Sequence, residues 1–149
     1  MFVETILTSA QRDDLRVISA MMIPASAEYD VPGADDPIIQ ADILATLGRD
    51  TRSVVAALDH LAQLAGKPLA ALDDATREAV AREFRAAGGV AAATLIRVVL
   101  QCYYRDDRVL RSLNLELRPP FPLGYTLEQG DWSLLDPVKA RPPMWRKVP

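Results

Sequence analysis

The side chains in this sequence that could do chemistry are few, and their spacing limits what each can do. His60 is the only histidine, and it sits beside Asp59 within a helical stretch. No serine or cysteine lies near it in a base–nucleophile pattern, so it reads as a helix-surface or half-buried side chain rather than a general base. Cys102 is the only cysteine, which excludes an internal disulfide and a cysteine metal cluster. A reactive thiolate needs an accessible, electropositive setting, and Arg105 alone supplies only part of one. Glu28, Asp30, Asp35 and Asp36 make one loop acidic, but their spacing is not that of a calcium loop. Asp73–Asp74 and Asp106–Asp107 are adjacent carboxylates in sequence. The first pair suits a helix cap, and the second, flanked by Arg105 and Arg108, suits an ion-pair network. Gly88–Gly89 ends a helix, and the chain holds no phosphate-cradling glycine motif or dinucleotide fingerprint. The residues therefore predict no catalytic, cofactor-binding or metal site in this chain, and no activity by itself.

The elements that would position these side chains are helices. Thr8 and Gln11 have capping-box spacing, and Leu15, Ile18 and Met22 then mark one apolar face. Pro24 stops that helix, and Pro24 to Pro37 reads as a loop with a turn at Pro32–Gly33. Asp36–Pro37 opens a second helix with Ile39, Ile43 and Leu47 inward, ended by Gly48. A third runs from Asp50 to Leu64 with Val54, Leu58 and Leu61 inward. A fourth starts at Asp73 and buries Val80 and Phe84. The fifth, Val90 to Tyr104, has a single polar stripe of Thr94, Arg97 and Gln101, which predicts a helix at the centre of a bundle.

That helix runs into "YYRDDR", Tyr103 to Arg108, with two tyrosines and four charges in six positions. The stretch reads as a joint where the helix leaves the core, bends, and continues as a short helix to Leu113. Arg105 or Arg108 is expected to pair with Asp106, Asp107 or a partner carboxylate in a half-buried network. The overall expectation is an all-α fold: a bundle of five to six helices over residues 1–114, then an extended arm over 115–149. Seven of the eleven prolines lie between Pro119 and Pro149, together with Phe121, Tyr125, Trp132 and Trp145. A proline-stiffened, aromatic-rich arm reads as one that lies against its own bundle or a partner, because aromatics and Arg dominate binding hot spots.

The chain has 149 residues, enough for one domain with a core of its own, and a net charge of −3, which makes no case for nucleic acid or anionic lipid. No run of about 18 apolar residues is present to insert in a membrane. "MFVETILTSAQRDDLRV" lacks the features of a secretory signal, and Arg12 and Arg16 are not a twin-arginine pair.

Two stretches carry a family likeness. "MMIPASAEYDVPGADDPIIQADIL" (Met21 to Leu44) resembles the N-terminal signature of the gluconate 2-dehydrogenase subunit 3 family, where an "IPA…Y…PGA…D" pattern follows the first helix. "LIRVVLQCYYRDDRVLRSLNLELRPPFPLGYTLEQGDWSLLDPV" (Leu95 to Val138) is similar to the C-terminal half of small family members found beside flavin-dependent dehydrogenases. The resemblance implies a small, cofactor-free helical subunit that assists or stabilises a large FAD-containing partner of the glucose–methanol–choline oxidoreductase type. The flavin and the catalytic histidine would then belong to that partner. Interface residues expected on this reading are Tyr103, Tyr104, Arg105, Asp106, Arg108, Phe121, Tyr125, Trp132 and Trp145. Many family members begin with a twin-arginine signal and this chain does not, which implies a cytoplasmic complex, or a periplasmic one if the partner supplies the address. The other readings are a stand-alone helical enzyme or ligand-binding domain, with a pocket around Cys102, Tyr103 and Arg97, and a self-contained domain whose tail folds on its own helices.

Overall fold

The computed structural model describes residues 7–119, 121–125, 129–142, 144 and 145. The chain divides into two compact units, Met1–Leu117 and Arg118–Pro149. The fold is all-α, with no strand among the described residues beyond one isolated antiparallel bridge between Ser26 and Val31.

Among its described residues the first unit holds six α-helices: α1 (Ser9–Met22), α2 (Pro37–Thr46), α3 (Thr51–Ala65), α4 (Asp74–Ala87), α5 (Gly89–Tyr103) and α6 (Asp107–Ser112). Local chemistry sets where they start. Thr8 and Gln11 close a reciprocal capping box on α1, with each backbone N–H donating to the other's side chain at 3.0 and 3.2 Å. Asp36, Asp73 and Asp106 cap α2, α4 and α6 by accepting from Ile38, Thr76 and Arg108 backbone N–H groups. Gly66, at φ 65°, takes the left-handed conformation that ends α3. Gly88 and Gly89, both at positive φ, let α5 leave α4 at 117°.

The faces expected from periodicity are the buried ones. Ile39, Ile43 and Leu47 from α2 and its end, Val54, Leu58 and Leu61 from α3, and Val80 and Phe84 from α4 all lie in one core. Two expectations need correction. The helix at the centre is α3, which packs against α1, α4 and α5, whereas α5 packs mainly on α3 and α2. The reason is that α5 has small side chains, Ala91 and Ala93, on part of its surface beside the polar stripe. Ala92, Leu95, Val98, Val99, Cys102 and Tyr103 are buried, while Val90 is exposed and Ile96 and Leu100 edge a groove shared with Met21 and Met22 of α1 and Phe84 of α4. The second correction concerns the loop before α2. Its turns fall at residues 27–30 and at Gly33–Asp36, where the Asp36 N–H donates to the Gly33 carbonyl at 3.1 Å, rather than at Pro32–Gly33.

One buried polar tie was not foreseen. Asp14, buried in α1, accepts the backbone N–H of Leu69 at 2.9 Å, pinning the short 3-10 turn Leu69–Ala71 onto α1. Arg77 of α4 holds the same turn from the other side, donating to the Leu69 and Leu72 carbonyls at 3.1 and 2.7 Å.

The second unit is proline-rich but not without regular structure. A 3-10 turn, Trp132–Leu135, runs into a short helix α7, Asp136–Lys139, with Asp131 as cap and Pro137 near the start. Asp136–Pro137 repeats the Asp36–Pro37 dipeptide, although here the aspartate is the first helical residue rather than the cap. Tyr125 donates its hydroxyl to the Arg118 carbonyl at 2.8 Å, and the Arg118 guanidinium lies 5.4 Å from the Tyr125 ring centre.

Candidate functional site

The joint between α5 and α6 brings most of the sequence-predicted cluster together. α5 ends at Tyr103, Tyr104 and Arg105 make the turn, and Asp106 caps α6. α6 ends in its own lock: Asn114 at φ 55° lets the Leu115 N–H reach the Leu110 carbonyl at 2.9 Å, and its own N–H reaches Arg111 at 3.0 Å. That pair of bonds is a Schellman closure, with Asn where glycine is commoner.

Arg108 organises the joint. Its guanidinium grips two carboxylates at once. Nε and Nη2 donate to Asp106 at 2.9 and 2.8 Å, and Nη1 and Nη2 donate to Asp36 at 3.0 and 2.8 Å. Asp36 is also the N-cap of α2, so one carboxylate caps a helix and anchors a residue 72 positions away. The planar fork of Arg makes both contacts bidentate, which a lysine could not do. Hydrogen bonding to Arg108 holds the Asp36 and Asp106 carboxyls below the usual aspartate range, and the two carboxylates hold the guanidinium firmly protonated. Arg105 makes the parallel contact one turn along, donating to Asp42 in α2 and to the Thr46 hydroxyl at 3.1 Å.

The expected network therefore exists, with different partners from some of those named. Arg108 pairs with Asp106 as anticipated. Asp107 instead faces Arg111 at 3.6 Å, and Arg105 crosses to Asp42. The carboxylates of α2 that complete the set, Asp36 and Asp42, were legible only as a cap and as a polar position on a helix. Together the contacts tie the joint to both the start and the middle of α2.

A shallow cleft of about 540 Å³ opens beside the joint, floored by Ile38, Ile39 and Cys102 and edged by Asp42, Arg105 and Asp107. Burial pushes the Cys102 thiol up, and the neighbouring Thr46 hydroxyl and Arg105 do not offset it, so the sulfur is a neutral thiol at pH 7. Its contacts with Thr46 and Arg105 at 3.5 Å are those of a packed side chain. Of Cys102, Tyr103 and Arg97, Cys102 alone lines this cleft. Tyr103 is buried, edge-on to the exposed Tyr104 at 5.2 Å, and Arg97 pairs with Asp50 at 2.8 Å and Gln101 at 2.9 Å. His60 lies against Phe84 with ring centres 5.7 Å apart. Among the described residues no group of three or more His, Cys, Asp or Glu is placed to hold a metal ion.

No family model, curated protein or solved structure matches this chain. The site must be read from its residues.

The joint can fix a backbone direction, but it offers no unpaired cation or activated nucleophile to a substrate. Each arginine in it is already matched to a carboxylate. Large apolar side chains are exposed in both units: Tyr29, Ile38, Val90 and Tyr104 in the first, and a denser set in the second. Phe121, Leu123, Trp132, Leu134, Met144 and Trp145 are between 65% and 90% exposed, and Tyr125 is 45% exposed. Within Trp132–Lys139, Trp132, Leu135 and Val138 recur every third residue and share a face. The Trp132 indole N–H donates to Gln129 at 3.3 Å, which sets the ring without covering it.

Proposed function

We propose that this chain is a non-catalytic small subunit of a flavin-dependent alcohol or sugar dehydrogenase, of the gluconate 2-dehydrogenase subunit 3 kind. It holds and stabilises a large FAD-containing subunit that carries the chemistry. The single observation that carries the reading is the arm's row of exposed aromatic and aliphatic side chains on short, locally capped turns. A soluble chain rarely leaves so many large apolar groups open to water unless a partner covers them. Trp132 is the expected anchor, because an indole offers a large contact area at low rotamer cost, and Leu134 and Leu135 would seal its pocket. Phe121, Tyr125 and Trp145 are further exposed aromatics of the same unit.

The joint of α5 and α6 serves this role indirectly. Its double Arg108 fork, with the Asn114 lock, fixes the direction in which the chain leaves α6. The likeness of Met21–Leu44 and Leu95–Val138 to the family supports the same conclusion from the sequence side, since the second stretch spans both the joint and the anchor.

The experiment is co-expression with a large flavoprotein of the glucose–methanol–choline type, followed by size exclusion with flavin absorbance. Flavin absorbance in a fraction holding both chains supports the reading. A flavoprotein that is soluble, loaded and active without this chain, and that elutes apart from it, refutes it.

A further inference from the structure

A groove on the first unit lies outside both the joint and the arm. Helices α1, α4 and α5 border about 540 Å³ there, within the range of small-ligand sites. Buried Ile18, Phe84 and Leu95 form its floor, and half-buried Met21, Met22, Ile96 and Leu100 form its sides. Among the described residues, no polar side chain lines it from α1 or α5. The charged side chains at its edge, Glu78, Arg82 and Arg85, all come from α4. Arg82 donates to Glu78 at 2.9 Å. Arg85, one turn further on and exposed, has no ion-pair partner among the described residues. This lip is net positive, in a unit whose seventeen acids outnumber its twelve cations.

We infer that this groove binds a single-chain amphiphile with an anionic head, a free fatty-acid carboxylate. The floor and sides take the hydrocarbon tail, and each methylene removed from water adds to the affinity. Arg85 takes the head, because a guanidinium can grip a carboxylate through two parallel hydrogen bonds. The one-sided placement of charge decides the class of ligand. An amphipathic protein helix carries polar side chains along both flanks of its apolar stripe, and the α1 and α5 sides of the groove offer those flanks nothing to pair with. A ligand with one charged end and an apolar remainder matches the lining. Met21 and Met22 suit it further, since unbranched thioethers adjust to a tail that has no fixed shape. The inference does not rest on the proposed flavoprotein complex.

The test follows methionine methyl groups by NMR in the full chain as dodecanoate is added below its micelle concentration. The chain has four methionines, of which Met21 and Met22 line the groove and Met144 lies in the arm. The Met21 and Met22 signals should shift saturably while that of Met144 stays in place. Dodecyltrimethylammonium, with the same tail and the opposite head charge, should bind more weakly, and acetate should shift nothing. Arg85→Gln, an exposed change, should weaken dodecanoate binding about tenfold through the lost charge-assisted contact. Ile96→Glu, shown to be folded by circular dichroism, should abolish it by placing a like charge in the groove. Four results overturn the inference: no shift at Met21 and Met22, a shift confined to Met144, equal affinity for the two amphiphiles, or undiminished binding by Arg85→Gln. Shifts at Met21 and Met22 with an added large flavoprotein, and none with dodecanoate, would likewise overturn it and give the groove to a protein partner.

Discussion

Replacing Arg108 with alanine removes four side-chain hydrogen bonds in one step and leaves Asp36 and Asp106 facing each other without a cation. The side chains involved are 36%, 20% and 10% exposed, between the open and the fully buried case. Breaking a buried pair costs about 3–5 kcal/mol and an exposed pair about 0–1, so the structure places this change near ~2 kcal/mol. In a unit of this size that is roughly 8 °C in melting temperature. Arg105→Ala provides the internal comparison. Its pair with Asp42 is 48% and 36% exposed, so its loss should cost about 0.5–1 kcal/mol. A double-mutant cycle of Arg108→Ala with Asp36→Ala isolates the contact, because the cap that Asp36 supplies to α2 cancels in the cycle. The assay is thermal and urea unfolding by circular dichroism. A melting shift for Arg108→Ala no larger than that for Arg105→Ala, or a coupling near zero in the cycle, would refute the claim that Arg108 locks the joint.

The same contact predicts an acid dependence. Because Arg108 holds the Asp36 and Asp106 carboxyls below their ordinary values, the stability they add is present above about pH 4 and lost as pH falls further. Melting temperature followed from neutral to acid pH should drop in the parent and drop less in Arg108→Ala. Asp14→Ala strands the buried Leu69 N–H and should cost about 1–3 kcal/mol, read by urea unfolding. Gly33→Ala would put a Cβ 2.9 Å from the Ala25 backbone N and against Asp35 Oδ1. The Asp35 side chain can swing away and the backbone cannot, so the melting temperature should fall by the equivalent of about 1–3 kcal/mol.

Helix positions and inward faces were legible because they follow from local rules. The Thr8–Gln11 box, the Asp36–Pro37 opening and the spacing of Val54, Leu58 and Leu61 each lie within a few residues of chain. The joint at Tyr104–Asp106 was legible for the same reason, since an apolar helix cannot continue unchanged through four successive charges. The partners of those charges were not. Asp36 and Asp42 lie 72 and 63 residues from Arg108 and Arg105, and only packing α2 against α5 brings them together. Asp14 was missed because an acid on an exposed-looking helix position reads as solvated until a buried N–H is placed opposite it. The centre of the bundle was misassigned because side-chain polarity alone does not distinguish large apolar surfaces from the small ones of Ala91 and Ala93. The local helix at 132–139 was readable, but the density of prolines around it drew attention to extension instead.

The central claim is that the arm attaches this chain to a flavin-bearing partner. Its most direct measurement compares the full chain, Trp132→Ala and a chain ending at Leu117 as baits for the co-expressed flavoprotein, quantifying captured flavin against bait. The account predicts that the truncated chain keeps its helical circular dichroism and captures no flavin, while Trp132→Ala loses about 2 kcal/mol, roughly thirtyfold in affinity. Undiminished flavin capture by the folded, truncated chain would contradict it and move the interface to the helices.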